Sequence, residues 1–279
     1  GGSIGSELSR IISNIKISSL TLIDISEASL FSISEEIKEI SKDTKIFPLI
    51  LDIKDDDKVN QAIKKFRPDI IYHAAAYKHV PILEDKNNYR EALENNFFAT
   101  CNLVDLAIEN NVEKFIFVST DKAVRPTNIM GSSKRMAELY IQTKSIQSHK
   151  TSLSSVRFGN VMNSSGSVIP IFRRQIKNNG PVTVTHPEII RYFMTIGEAA
   201  YLVIITSIIS SSSAVYMLKM GDPVRILDIA KKMIKLSGNT IKDETSKDGI
   251  EIIFTGLRPG EKLYEELLVS EKDIKTDHP

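Results

Sequence analysis

Short apolar, β-branched runs alternate along the first part of the chain with longer segments whose apolar positions recur at helical spacing. The runs SLTLIDI (19–25), KIFPLILDI (45–53), DIIYHAA (69–75), KFIFVST (114–120) and SSVRFGNV (154–161) predict strands. Between them SELSRIISNI, SLFSISEEIKEISK, DKVNQAIKKF, NNFFATCNLVDLAIENN and SSKRMAELYIQTKSI predict helices. Strands separated by helices of this length imply βαβ crossovers, and hence an α/β fold with a doubly wound parallel sheet.

The rhythm breaks after about residue 161. SSGS (164–167), NNG (178–180) and THP (185–187) are turn signals between short segments. A helix over 197–209, the strand AVYMLKM (214–220), a helix over 224–236, EIIFTG (251–256) and the run LRPGEKLYEELL follow. The expected division is a larger domain of residues 1–160, which also takes back about 187–218. A smaller interleaved domain is made of 161–186 and 219–279.

Composition narrows the function classes. Lys+Arg 36 against Asp+Glu 35 in 279 residues leaves a formal charge of +1, so nothing argues for a nucleic-acid partner. The single cysteine, Cys101, excludes an intramolecular disulfide framework and sits in an apolar helical run, as a packed core thiol does. The most apolar run, YLVIITSII (201–209), is about half the length a bilayer needs. No signal peptide is evident. The chain opens on Gly1-Gly2 without a methionine, and the expectation is a chain that starts late and lacks the first, central strand of its sheet.

GGSIGSEL opens directly into a helix. The backbone of Gly1, Gly2, Ser3, Ile4 and Gly5 is placed for a dinucleotide pyrophosphate, which helix N–H groups and the helix dipole attract. Asp24 ends the next strand 19 residues beyond Gly5, near the spacing of an acid that binds the adenosine ribose. An acid there repels a 2′-phosphate, which favours NAD over NADP. Asp52 and Ile53, ending the following strand, are candidates for the adenine edge. HAAAYKHVP (73–81) sets the small residues Ala74, Ala75 and Ala76 where a cofactor passes above the carboxyl edge of the sheet. Asn96, in the next helix, either holds local backbone or water or is a surface asparagine.

The most specific run is VSTDKAVRPTNIMGSSK (118–134). Ser119 and Thr120 end a strand, Asp121 and Lys122 follow at once, and Met130 and Lys134 share one helix face. Here the sequence resembles the extended short-chain dehydrogenase/reductases, Rossmann-like enzymes whose helix bears a Tyr-x-x-x-Lys pair. It is most similar to the bacterial polysaccharide-biosynthesis 4,6-dehydratases of UDP-N-acetylglucosamine, in the branch where methionine replaces the tyrosine. GGSIGSEL, HAAAYKHVP, VRFGNV, SSGSVIPIF, RYFMTIGEA and GLRPGEKLYEELL match family blocks in order.

The resemblance implies a tightly held NAD, no metal, and a dehydration with no net redox change that makes a UDP-4-keto-6-deoxy-N-acetylhexosamine for surface polysaccharide or glycoprotein glycan. It assigns Asp121 as the acid at the C6 oxygen, Lys122 as the base at C5, Thr120 as a hydrogen-bond partner of the C4 oxygen, and Lys134 as the grip on the nicotinamide ribose. Met130 is left with packing. Lys78, Asn160, Arg191, Arg258 and Glu261 match positions that hold the sugar nucleotide. For Lys122 to act as a base, burial and the nearby Lys134 are expected to depress its pKa. The resemblance further implies a cytoplasmic homo-oligomer. Longer relatives have an amino-terminal membrane region, so attachment to the inner face of the bacterial inner membrane is a further expectation. Two other readings stand: a UDP-sugar 4-epimerase of the same superfamily, and a non-catalytic NAD sensor or scaffold.

Overall fold

A computed structural model of the chain describes residues 1–148, 150–210, 214–242 and 247–267. α1 (Ser3–Ser13) leads into β1 (Ser19–Asp24), α2 (Glu27–Ile40), β2 (Lys45–Ile50), α3 (Asp56–Phe66) and β3 (Ile70–His73). α4 (Val80–Leu83) and α5 (Tyr89–Leu93) precede a π-helical turn at Glu94–Phe98 and α6 (Ala99–Glu109). β4 (Lys114–Val118), a 3₁₀ turn at Asp121–Ala123, α7 (Ile129–Gln147) and β5 (Ser152–Arg157) come next. The rest is β6 (Asn160–Val161), α8 (Val168–Lys177), β7 (Val182–Val184), β8 (Ile190–Arg191), β9 (Phe193–Met194), α9 (Ile196–Ile209), β10 (Val215–Met217), β11 (Val224–Arg225), α10 (Ile226–Leu236) and β12 (Ile252–Phe254).

The α/β reading holds, with strands β1 to β5 divided between two parallel sheets. β1 pairs with β2, and β10, β5, β4 and β3 form a second sheet in that order. α1 packs on α2 and β1 on one side and on α9 on the other, and so ties the two sheets together. After Lys114 the β4 run is apolar because both of its faces are covered, as in buried parallel sheets. Phe115 and Phe117 point into one core with Val59, Val104, Ala137, Ile141 and Leu153. Ile116 and Val118 point the other way, against Leu8, Ala200, Val203 and Leu218. A separate core joins Phe172, Ile176, Val182, Val184, Ala230, Ile234 and Ile250.

Side-chain caps set several helix starts. Ser26 accepts from the Ser29 N–H before α2, Asp55 from the Lys58 N–H before α3, and Asn128 from the Gly131 N–H before α7. Thr195 and Glu198 form a reciprocal capping box at α9. The sequence pattern misses α8, whose VIPIFRRQIK lies between turn signals and whose buried side is short: Phe172 and Ile176. It also runs SSVRFGNV as one strand. The chain instead leaves β5 at Phe158 and re-pairs as β6 with β9, the Asn160 N–H donating to the Tyr192 carbonyl. Leu268, the last residue of the run LRPGEKLYEELL, lies outside the described residues. Among the described residues no helix is long and apolar enough to cross a membrane.

Candidate active site

The carboxyl end of β4 delivers the central residues. The Ser119 N–H donates to the Val156 carbonyl (2.7 Å) and the Asp121 N–H to that of Phe158 (3.1 Å), so the turn after β4 is fixed to the chain leaving β5. The Thr120 hydroxyl donates to Asp121 Oδ1 at 2.9 Å and accepts from the Lys122 N–H. Lys122 Nζ donates to Asp121 Oδ1 at 3.0 Å and to Asn160 Oδ1 at 3.3 Å. The structure thus brings Thr120, Asp121, Lys122 and Asn160 into one cluster. Asp121 is 1% exposed, and its Oδ2 has no hydrogen-bond partner among the described residues. Gly159 makes this fit possible, since a Cβ there would lie 3.1 Å from Asp121 Oδ2. Gly131 does the same for α7: a Cβ would come within 2.2 Å of the Lys122 carbonyl oxygen.

A residue outside the sequence-based candidates completes the cluster. Glu265 is 7% exposed, and its Oε1 lies 3.6 Å from Lys122 Nζ and 3.8 Å from Arg191 Nε. Its chain separation from Lys122 gives no local spacing by which to find it. Burial alone would push the Lys122 ammonium down; the Asp121 and Glu265 carboxylates outweigh burial and the opposing Arg191, and its pKa is raised. The expected depression of Lys122 is therefore corrected. Burial depresses two other candidate lysines, Lys78 and, down to about 7 against the pull of Glu138, Lys134. Its ammonium donates to the Val118 carbonyl at 2.9 Å and lies 4.3 Å from the centre of the Phe117 ring.

Behind Lys134, one turn along α7, Glu138 is fully buried. It accepts from the Ser119 hydroxyl (2.6 Å), from Arg157 Nε (2.6 Å) and Nη2 (2.5 Å), and from Arg135 (3.0 Å). This carboxylate joins α7 to the ends of β4 and β5 under the cluster. Met130 is 4% exposed and packs with Leu83, Ala92, Val80 and Ile129. Asn96 proves fully buried: it accepts from the Tyr77 N–H, donates to the Tyr77 carbonyl, and donates to Ser133 on α7. Its backbone-holding role fixes the loop that contains Ala74, Ala75 and Ala76.

The glycine-rich start and Asp24 also meet. The Gly1 amino group donates to Asp24 Oδ2 at 2.7 Å, and Asp24 Oδ1 accepts from the Ser26 N–H. Unlike α2, α3, α7 and α9, α1 has no side-chain cap among the described residues. A Cβ on Gly2 or Gly5 would meet nothing within 4 Å, so Gly2, Ser3, Ile4 and Gly5 leave a bare backbone cradle of the kind an anion fits. Asp52 turns back on the Lys54 N–H (2.9 Å), with the half-buried Ile53 between them. Lys78 and Arg258 are exposed. Arg191 is buried, and its fork is engaged by protein: the carbonyls of Ile190, Leu263 and Lys262, and Glu261 at 3.4 Å. Glu261 also accepts from the Arg258 N–H.

The family described as polysaccharide biosynthesis protein matches residues 1–279. The chain is 47% identical over 269 residues to the capsular polysaccharide biosynthesis protein CapD of Staphylococcus aureus, covering 96% of this chain and 44% of that protein. It therefore spans less than half the length of that curated relative. It is 35% identical to a UDP-glucose 4-epimerase of Rickettsia rickettsii, covering 91% of this chain and 72% of that one. Among solved structures, Pen from Bacillus thuringiensis superposes with a TM-score of 0.85 at 36% identity, over 96% of this chain and 79% of that one. A dTDP-glucose 4,6-dehydratase of Streptomyces venezuelae with NAD bound shares the fold, with a TM-score of 0.79 at 16% identity over 95% and 85%. With the Asp-Lys turn, the glycine cradle and these matches in place, the chain belongs to the polysaccharide biosynthesis protein family of the extended short-chain dehydrogenase/reductases.

Proposed function

We propose that this chain catalyses the 4,6-dehydration of UDP-N-acetylglucosamine to a UDP-4-keto-6-deoxy-N-acetylhexosamine, with NAD as resident cofactor. The observation that carries the reading is the pairing of half-buried Lys122 with buried Asp121 beside Asn160, with Asp121 Oδ2 unpartnered among the described residues and Met130 withdrawn into an apolar cluster. NAD, when bound, accepts the C4 hydride and returns it at C6. Gly2, Ser3, Ile4, Gly5 and Asp24 would hold its adenosine end, and Lys134 its nicotinamide ribose. In the same reading residues 1–160 with about 187–218 hold the cofactor, and 161–186 with 219–279 hold the sugar nucleotide.

Dehydration asks for a protonated Asp121 at the C6 oxygen and a neutral Lys122 at C5. That state has the same number of protons as the ion pair. Moving one proton from Lys122 Nζ to Asp121 Oδ1, across 3.0 Å, converts one into the other. A raised Lys122 pKa is thus compatible with its role as base. Thr120, bonded to Asp121, faces the C4 oxygen and orders the acid.

The Rickettsia relative supports a second reading, a 4-epimerase, which needs neither a C6 acid nor a C5 base. The test is NMR of UDP-N-acetylglucosamine incubated in heavy water with the full-length protein and catalytic NAD. A C6 methyl group beside a deuterated C5 and a hydrated 4-keto carbon is the expected product. A C4-inverted sugar means epimerase, and unchanged substrate with NAD bound means a sensor or scaffold.

A further inference from the structure

The segment Arg258–Leu267 lies across the turn that follows β4. The carbonyl of Gly260 accepts from Thr127 (3.0 Å) and Asn128 (3.1 Å), Lys262 Nζ donates to the Val124 carbonyl (3.1 Å), and Arg125 pairs with Glu266 (2.7 Å). Arg191 holds the same segment from the other side through the carbonyls of Lys262 (2.8 Å) and Leu263 (3.2 Å). Every one of these contacts is a strap tie, and together they drive one carboxylate, Glu265, inward. Its side chain is 4% exposed, while the neighbouring Glu266 stays at the surface at 37%.

We infer that Glu265 is a positioning residue of the Asp121–Lys122 centre, placing Lys122 Nζ and holding it as an ammonium until the pair is called on to exchange its proton. The charged groups that face Lys122 are Asp121 on its own turn, Glu265 on the strap and Arg191 on β8. Asp121 Oδ1 takes one N–H of the ammonium and Asn160 another, and Glu265 stands at 3.6 Å on the strap side. Arg191 Nε, 3.8 Å from Glu265 Oε1, helps to hold that carboxylate in place. The assignment deepens the dehydratase reading and rests on it for its catalytic meaning. It makes the reactive centre a product of two distant chain segments, so the amine is set only when the strap is seated.

The test is competitive trace acetylation of the full-length protein across pH, with the Lys122 peptide quantified by mass spectrometry. Glu265→Gln should lower the Lys122 titration midpoint by at least about one pH unit, the scale of one carboxylate at this distance even under the full screening of water. Glu265→Asp should keep most of the elevation, and Glu266→Gln, on the same strap, all of it. The acid limb of the kcat–pH profile should move in the same direction in Glu265→Gln. An unmoved Lys122 midpoint in folded Glu265→Gln, or an equal drop in Glu266→Gln, overturns the inference. Labelling needs no turnover, so the two readings fail separately: a wild-type protein that makes no keto sugar but shows the midpoint shift sinks the dehydratase reading and leaves Glu265 where it is assigned.

Discussion

Replacing Lys134 with methionine should stabilise the ligand-free protein below neutral pH. Burial brings the Lys134 pKa from the ordinary lysine value of 10.5 to about 7. A displacement of that size corresponds to about 5 kcal/mol of preference for the neutral amine, all of it a penalty on the folded state when the lysine is charged. Methionine removes the penalty and keeps most of the volume. It also removes the hydrogen bond to the Val118 carbonyl and the contact with the Phe117 ring, which together offset about 2–3 kcal/mol. The net gain at pH 6 is therefore about 2 kcal/mol. The sign with pH follows from proton counting. Between about 7 and 10.5 the unfolded chain binds more protons at this site than the folded one, so wild-type stability rises with pH through that window. Urea unfolding at pH 6 and pH 9.5 should show the advantage of Lys134→Met shrinking by about 3 kcal/mol and reversing. A stability difference that is the same at both pH values would refute the argument. The same substitution removes the residue proposed to grip the nicotinamide ribose, so stability and cofactor binding should move in opposite directions.

Glu138→Ala leaves the Arg157 guanidinium, 5% exposed, without its carboxylate, and should cost about 3–5 kcal/mol in urea unfolding. Replacing both Glu138 and Arg157 with methionine should cost less than Glu138→Ala alone; a larger loss in the double variant would show that the pair is worth more than its desolvation. Gly260 has φ +73°, and a Cβ on it would lie 2.7 Å from Asn128 Cβ. Gly260→Ala should therefore lift the strap, read as faster tryptic cleavage after Lys262 with the thermal midpoint lowered by only a few degrees. Unchanged cleavage would mean that the strap tolerates the side chain.

What the residue pattern made legible was whatever is local. The five strands of the first part, the acid at the end of β1 and the Asp-Lys turn at the end of β4 all follow from short-range periodicity and spacing. The sequence leaves two roles open for Asn96, and only the fold, which buries it against Tyr77 and Ser133, selects between them. Glu265 and Glu138 had no local signal at all. One is half of a Glu-Glu pair in a charged run, the other lies on a helix of low amphipathicity, and each is defined by partners from other elements. The protonation of Lys122 is not legible for the same reason: its own turn shows the burial and Asp121, while the second carboxylate arrives from the far end of the chain. α8 escapes the sequence pattern because turn signals close in on both of its ends, although Val168, Phe172 and Ile176 recur at helical spacing and share one core.

The π-helical turn at Glu94–Phe98 makes chain length at this point a matter of phase. It holds one more residue per turn than the α-helices on either side. That extra residue lets Asn96 face the Tyr77 loop and Ser133, while Leu103, Val104 and Ala107 on α6 stay in the core and Ala92 on α5 stays beside Met130. Deleting one residue there would restore regular winding and rotate everything before it by about 100° relative to everything after it. Either Ala92 would leave the Met130 cluster or Asn96 would release the loop. Substitutions in this stretch are negotiable one side chain at a time, whereas a change of length is not.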